Sequence, residues 1–207
     1  MKVSQLVKQL NNTELGKGGT HDTYVLIPNE LNIKDIFVTA GAEVEFTDST
    51  TNEKIIVRNT ESREKRIVGL GQYYRDKDLS AGDEIIFERI TCNGTDSFLI
   101  NTKKRENSLV FQKMKYGFEI LTPEKMILFK NVSKQIPDSF KMDFIESARK
   151  RNDSPETTDF YDIVVNGKSL LDSYGGKEIG IVQIEGNKIE IVDFYGWKKY
   201  MFETEES

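Results

Sequence analysis

Four cationic side chains stand within one short stretch, at Arg58, Arg63, Lys65 and Arg66, interleaved with Glu61 and Glu64 and with Asn59, Thr60 and Ser62. A guanidinium offers a rigid fork of donors that fits a guanine edge or a phosphate, and a carboxylate can accept from a cytosine amino group. The chemistry such a stretch can do is readout of a nucleic-acid duplex. Glu64 bears on this, because a carboxylate repels phosphate and favours base readout over general stickiness. The plainer reading is a solvated hairpin in which Glu64 pairs with Lys65 or Arg66, which at a surface is worth under about 1 kcal/mol.

The stretch has to be held out from something. Ile55, Ile56 and Val57 precede it, and Ile67, Val68 and Leu70 follow. Two apolar runs around a polar segment read as strands carrying an arm. The chain before it supplies short apolar runs at 24–27, 44–46 and 54–58, and the chain after it at 84–90 and 97–101. Gly82-Asp83 and Asn93-Gly94 mark tight turns between them. Residues 3–10 fit either a short helix or a strand, with Val3, Leu6, Val7 and Leu10 apolar. Residues 31–37 read as a short helix or turn packing Leu31, Ile33 and Phe37, and Tyr73, Tyr74 and Arg75 read as barrel packing, with contact to DNA as the alternative. Short strands separated by polar turns predict a mainly β protein with a few helices, a β-rich α+β fold.

From about residue 110 the character shifts. Residues 138–151 carry Phe140, Phe144, Ile145 and Ala148 at helical spacing, with acids early and bases late, and predict a helix. Residues 152–158 are the most linker-like, and further strands and turns follow to residue 192. Phe194, Tyr195 and Trp197 form an aromatic cluster that reads as core or as a dimer or partner surface. The expected division is a domain over 1–110, a connecting segment over 111–155 with its helix, and a small β-rich domain of unknown role over 156–207.

The chain has 207 residues, enough for one large domain or two small ones, and a formal net charge of -5. A nucleic-acid binder with this balance must segregate its positive charge onto one face. The one cysteine, Cys92, excludes an internal disulfide and is expected as a buried, inert thiol in a reducing setting. With a single histidine, His21, zinc-finger, zinc-ribbon and HExxH sites are excluded within one chain. The start lacks the apolar core of a signal peptide, and no run is long enough to span a membrane. The expected location is the cytoplasm.

Residues 11–23 form a polar, glycine-rich loop that is not a P-loop, since no GK[ST] follows. Read with its flanks, it carries a resemblance. Residues 7–13, then Gly18, Gly19, Thr20 and His21, then Leu26, Ile27 and Pro28, then Ile36 and Phe37, are similar to the N-terminal effector domain of the restriction enzyme EcoRII. Glu64, Lys65, Arg66 and Ile67 match its Glu-Lys-Arg-Ile stretch. Residues 79–83 with Ile85, Ile86 and Phe87 are similar to the closing segment of the plant B-three domains of the same pseudobarrel superfamily. The resemblance covers roughly residues 6 to 110.

It implies a bacterial restriction or phage-defence setting. It also implies a seven-stranded open pseudobarrel that grips double-stranded DNA in the major groove with two arms. Lys8, Asn12, Thr13, Lys17 and the loop to His21 would form the first arm. Arg58 to Arg66 would form the second, with Arg63, Glu64, Lys65 and Arg66 nearest the bases. Gln9 replaces a usual base, Asn12 stands where the family shows Asp, and the loop before His21 is about two residues longer. Lys103, Lys104 and Arg105 would add phosphate contacts. A homodimer or a separate nuclease subunit is the partner such a recognition part implies.

One alternative is a complete magnesium-dependent restriction endonuclease with its site in residues 110–207. Pro137-Asp138 has the required types but reads as a helix start, and residues 185–188 read as a hairpin turn rather than an acid-x-Lys. The expectation is therefore no cofactor, with magnesium needed only for that nuclease. The other alternative is an interaction module without a nucleic-acid partner.

Overall fold

A computed structural model describes residues 1–19, 21–136, 139–150, 155–173 and 179–204. The chain forms two units, Met1–Lys104 with Tyr195–Ser207, and Arg105–Phe194. As the sequence predicts, it is β-rich with few helices.

The first unit takes seven strands from its N-terminal part. They are β1 (Lys2–Gln9), β2 (Val25–Leu26), β3 (Glu43–Asp48), β4 (Lys54–Asn59), β5 (Arg66–Val68), β6 (Glu84–Cys92) and β7 (Thr95–Lys103); α1 (Gly71–Asp76) lies between β5 and β6. The ambiguous segment at 3–10 is thus a strand, and Leu6 and Leu10 of one face enter the core. Residues 31–37 form turns rather than a helix, and Ile36 and Phe37 are buried. Phe37, Phe46 and Phe87 pack in tilted and edge-on contacts with centroids 5.6–5.7 Å apart. Asn93 and Gly94 both take positive φ, 50° and 75°, as a two-residue hairpin turn demands. Cys92 sits beside that turn and is exposed, not buried, because the hairpin end reaches past the core.

Asp48 ties α1 to the β3–β4 turn. Its Oδ1 accepts from the Thr50 and Thr51 amides at 2.8 and 2.7 Å. Its Oδ2 accepts from the Tyr73 hydroxyl at 2.7 Å and pairs with Lys77 Nζ at 2.9 Å. Burial pushes this carboxyl upward, but the bonds from Tyr73, Lys77 and the two amides outweigh it and hold it well below the usual carboxylate range.

The second unit contains β8 (Ser108–Met114), β9 (Gly117–Ile120), α2 (Met126–Gln135), β10 (Phe140–Arg149), β11 (Thr157–Val165), β12 (Lys168–Ser169), β13 (Ile179–Glu185) and β14 (Lys188–Asp193). The sheet order is β10-β11-β9-β8-β13-β14, with β12 on β11. Phe129 of α2 packs on Phe140 with centroids 5.0 Å apart. The helix expected over 138–151 is instead β10, paired with β11 in a long hairpin. Phe140 and Phe144 are four residues apart, a spacing that falls on one side of a strand as readily as of a helix, and the bulge between Phe144 and Glu146 turns Ala148 to the other side. Partnership with β11 decides the matter. Pro137, Asp138 and residues 151–154 lie outside the described residues.

The chain then returns to the first unit. Strand β15 (Trp197–Glu203) pairs antiparallel with β1, so Tyr195–Ser207 cluster with the N-terminal strands rather than with those just before them. The sheet order becomes β15-β1-β6-β7-β3-β4-β5-β2, parallel only between β3 and β7. The two ends of this order meet, since Trp197 Nε1 of β15 donates to the Leu26 carbonyl of β2 at 3.0 Å. The sheet is therefore a curled, open barrel whose seam is crossed by one indole.

Candidate nucleic-acid interface

The loop after β1 is built around Glu14. Its Oε2 lies 3.0 Å from Lys8 Nζ and accepts the Asn11 amide, while its Oε1 accepts the Leu26 amide at 3.0 Å. Asn11 Oδ1 accepts the Glu14 amide in return, the reciprocal pattern of a capping box. The Glu14 carbonyl also receives the Tyr24 amide. One buried carboxylate thus fixes the start of the loop, its end and the strand that follows.

Lys8, expected as a phosphate contact, is buried and already engaged. It shares strand parity with Leu6 and Leu10 and is 5 % exposed, its ammonium spent on Glu14 and the Gln9 carbonyl. Gln9 is buried too, donating to the Gly82 carbonyl and accepting the Tyr195 amide. Asn12 is half-buried, with its Oδ1 enclosed and without a partner. Thr13, Lys17 and His21 are exposed, and Lys17 Nζ donates to the Leu79 carbonyl at 2.9 Å.

The second arm leaves β4 and enters β5. Its neck is closed by Thr60, whose amide donates to the Arg66 carbonyl at 2.7 Å and whose Oγ1 accepts the Arg66 amide at 3.0 Å. Just beyond, Gly69 takes φ +96°, and an added Cβ would lie 2.5 Å from the Ile56 carbonyl oxygen. Only glycine lets the exit strand pass that close. Residues 61–65 are all exposed, with Ser62 Oγ bonded to the Glu64 carbonyl. A cavity of about 370 Å³, lined by Ile27, Leu31, Phe37, Asn59, Glu61 and Lys65 among others, separates the neck from the 27–40 segment.

Strand pairing joins the end of the first segment to the second. Leu26 lies opposite Arg66, Val25 opposite Ile67, and the Ile27 amide donates to the Lys65 carbonyl. The Arg66 guanidinium carbon sits 4.1 Å from the centroid of the Tyr24 ring. Its Nε donates to Glu64 at 2.7 Å, and this bond raises the guanidinium further above its ordinary value. Glu64 is thus the partner of Arg66. Arg58, Arg63 and Lys65 are exposed and make no side-chain hydrogen bond or ion pair with the described residues.

The remaining candidates have partners of their own. Lys104 reaches the Asp78 carbonyl at 2.8 Å, and Arg105 belongs to the second unit, bonding Gln183. Residues 185–188 form the β13–β14 turn, with Glu185 opposite Lys188. Among the described residues there is no group of three or more His, Cys, Asp or Glu side chains placed to hold a metal ion. None of the described helices is long and apolar enough to cross a membrane. What the sequence reading missed is Tyr24 and Glu14. A tyrosine at a strand start and an Asn-x-x-Glu in a loop were the available signals.

No protein-family model matches the chain, and no curated protein matches it. Among solved structures the chain is similar to the N-terminal domain of Helicobacter pylori LlaJI.R1, at 15% sequence identity and a TM-score of 0.35, over 50% of this chain and 82% of that one. The assignment of a role therefore rests on the residues of the site.

Proposed function

We propose that the chain binds double-stranded DNA sequence-specifically, with the 12–21 loop and the 58–66 arm entering the major groove. In this reading it is the recognition part of a bacterial restriction or phage-defence system, cytoplasmic, and works with a separate nuclease subunit. The supporting observation is the placement of Arg58, Arg63 and Lys65: exposed and unpaired, on an arm tied by strand pairing to the end of the other loop. On a chain of net charge -5, a local excess of free cations is a surface for an anion.

In this reading each side chain takes a role. Arg63 at the arm tip reads a base edge. Arg66, stacked on Tyr24 and braced by Glu64, is held flat, as bidentate contact with guanine requires. Arg58, Lys65 and Lys17 meet phosphates, and Asn12, Thr13 and His21 line the opposite wall. Lys8 and Glu14 position that wall without touching DNA. Binding needs no cofactor.

The test is selection of duplexes from a randomised pool, with and without magnesium, followed by titration of the winner in rising salt. One enriched sequence, bound without magnesium and released steeply by salt, is the expected result. No enrichment at low salt overturns the proposal, and magnesium-dependent cutting of the enriched duplex would add catalysis to it.

A further inference from the structure

Strand β15 ends its sheet, and among the described residues no strand is paired with its outer edge, which meets β2 only at its start through the Trp197 indole. Tyr200, Met201 and Phe202 run consecutively along it and are 42%, 48% and 52% exposed. Proteins normally blunt such edges by shortness, bulges or charge. The other edge strands here do so: β2 and β12 have two residues each, β10 carries a bulge between Phe144 and Glu146, and β14 sets Lys188, Glu190 and Asp193 among its apolar residues. The middle of β15 has none of these devices.

Its backbone phase is fixed. The Thr204 amide donates to the Met1 carbonyl at 3.0 Å and the Met1 amino group to the Thr204 carbonyl at 3.1 Å, so residue 204 points its backbone groups at the first strand. In an antiparallel ladder this direction alternates. Lys199, Met201 and Glu203 therefore aim their N–H and C=O groups outward at the open edge.

We propose that β15 pairs antiparallel with β15 of a second copy of this chain, about a two-fold axis through Met201. This register gives Met201 both backbone bonds with its own counterpart. It sets Lys199, which also bonds Asp35, opposite Glu203 of the second copy, where the outward groups of both again match. Glu203 has little to hold it at home, being 3.7 Å from Lys2 with its side chain 73% exposed. On the other face, Tyr200 comes opposite Phe202 of the second copy. These rings already stack along the strand, with planes 12° apart, so the pairing extends them into one ladder. The strand is thus self-complementary in hydrogen bonding, charge and ring packing, which an isologous interface requires. The interface does not depend on DNA binding.

The experiment is light scattering of the full chain on a sizing column across the micromolar range. The wild type should move from the mass of one chain to twice that mass as concentration rises. Met201→Pro should stay at one chain, because proline removes a donor at the axis while the Met201 amide contributes nothing to the β1 ladder. Phe202→Glu should do the same, and it carries the test alone if the proline variant misfolds by circular dichroism. A wild type that keeps the mass of one chain at every concentration overturns the proposal. So does a Phe202→Glu variant that dimerises like the wild type.

Discussion

Arg66 stacks on Tyr24 across the pairing of β2 with β5, its guanidinium carbon 4.1 Å from the ring centroid. The contact joins the end of one proposed arm to the root of the other. It also limits the rotamers of a side chain that would otherwise sweep freely, and a fork held flat loses less entropy on meeting a base.

Removing the ring should therefore loosen recognition without removing a charge. Tyr24→Leu is expected to weaken binding to the selected duplex by roughly tenfold, in line with a cation–π contact of about 1 kcal/mol or slightly more. The slope of log affinity against log salt should stay unchanged, because no phosphate contact is lost. Fluorescence anisotropy at several salt concentrations reads both quantities, and a flattened slope would show Tyr24 or Arg66 acting on the backbone instead.

Arg63 and Lys65 separate readout from attraction. Arg63→Ala should cost about 1–3 kcal/mol against the selected sequence and relax preference at one base pair, whereas Lys65→Ala should weaken all sequences alike and reduce the salt slope by about 0.9. Competition between selected and scrambled duplexes measures each. Identical behaviour of the two variants would reject the division of labour.

The Lys8–Glu14 pair should be a matter of stability. Each partner is buried, so Lys8→Met alone strands a carboxylate and is expected to lower unfolding free energy by about 3–5 kcal/mol. Glu14→Gln with Lys8→Met should cost less than Lys8→Met alone, since no buried charge remains unpaired. Urea denaturation decides it. If Lys8 instead served DNA, Lys8→Met would leave stability intact and abolish part of the salt dependence.

The β-rich class and the strands flanking residues 58–66 were legible because they rest on local chemistry. Apolar runs of strand length, Asn93-Gly94 and the flanks of residues 58–66 each carry their own signal. The burial of Lys8 was not legible because sequence shows a cation but not which side of a strand it is on; Leu6 and Leu10 set that phase, and Glu14 receives the charge. The segment at 138–151 failed for a different reason. A four-residue spacing is shared by helices and strands, and only pairing with the next strand, β11, breaks the tie. Helix α2 went unread because the exposed Ile127 and Leu128 fill the gap between Met126 and Phe129, so that four apolar residues in a row hide the helical stripe. The place of β15 beside β1 depends on a contact spanning nearly the whole chain, which no local pattern reports.

Asp48 should make the first unit sensitive to acid. Its carboxyl is held below the ordinary value of about 3.9, so its stabilisation is complete above that pH and is lost as the pH falls toward the lower value of the folded chain. Asp48→Asn, which leaves Lys77 short of its partner, is expected to cost about 3 kcal/mol at neutral pH. The gap between variant and wild type should narrow steadily below about pH 4. Urea midpoints at a series of pH values test this, and a gap independent of pH would rule out the carboxylate as its source.

The indole that crosses the barrel seam belongs to a strand synthesised after everything in the second unit. While the ribosome is still translating residues 105–194, the strands from the first part of the chain exist with β1 bare on one side and Leu26 without its indole donor. The nascent barrel then holds seven of its eight strands and waits for the last one to emerge. The inserted unit, whose residues are contiguous, is the part free to mature first.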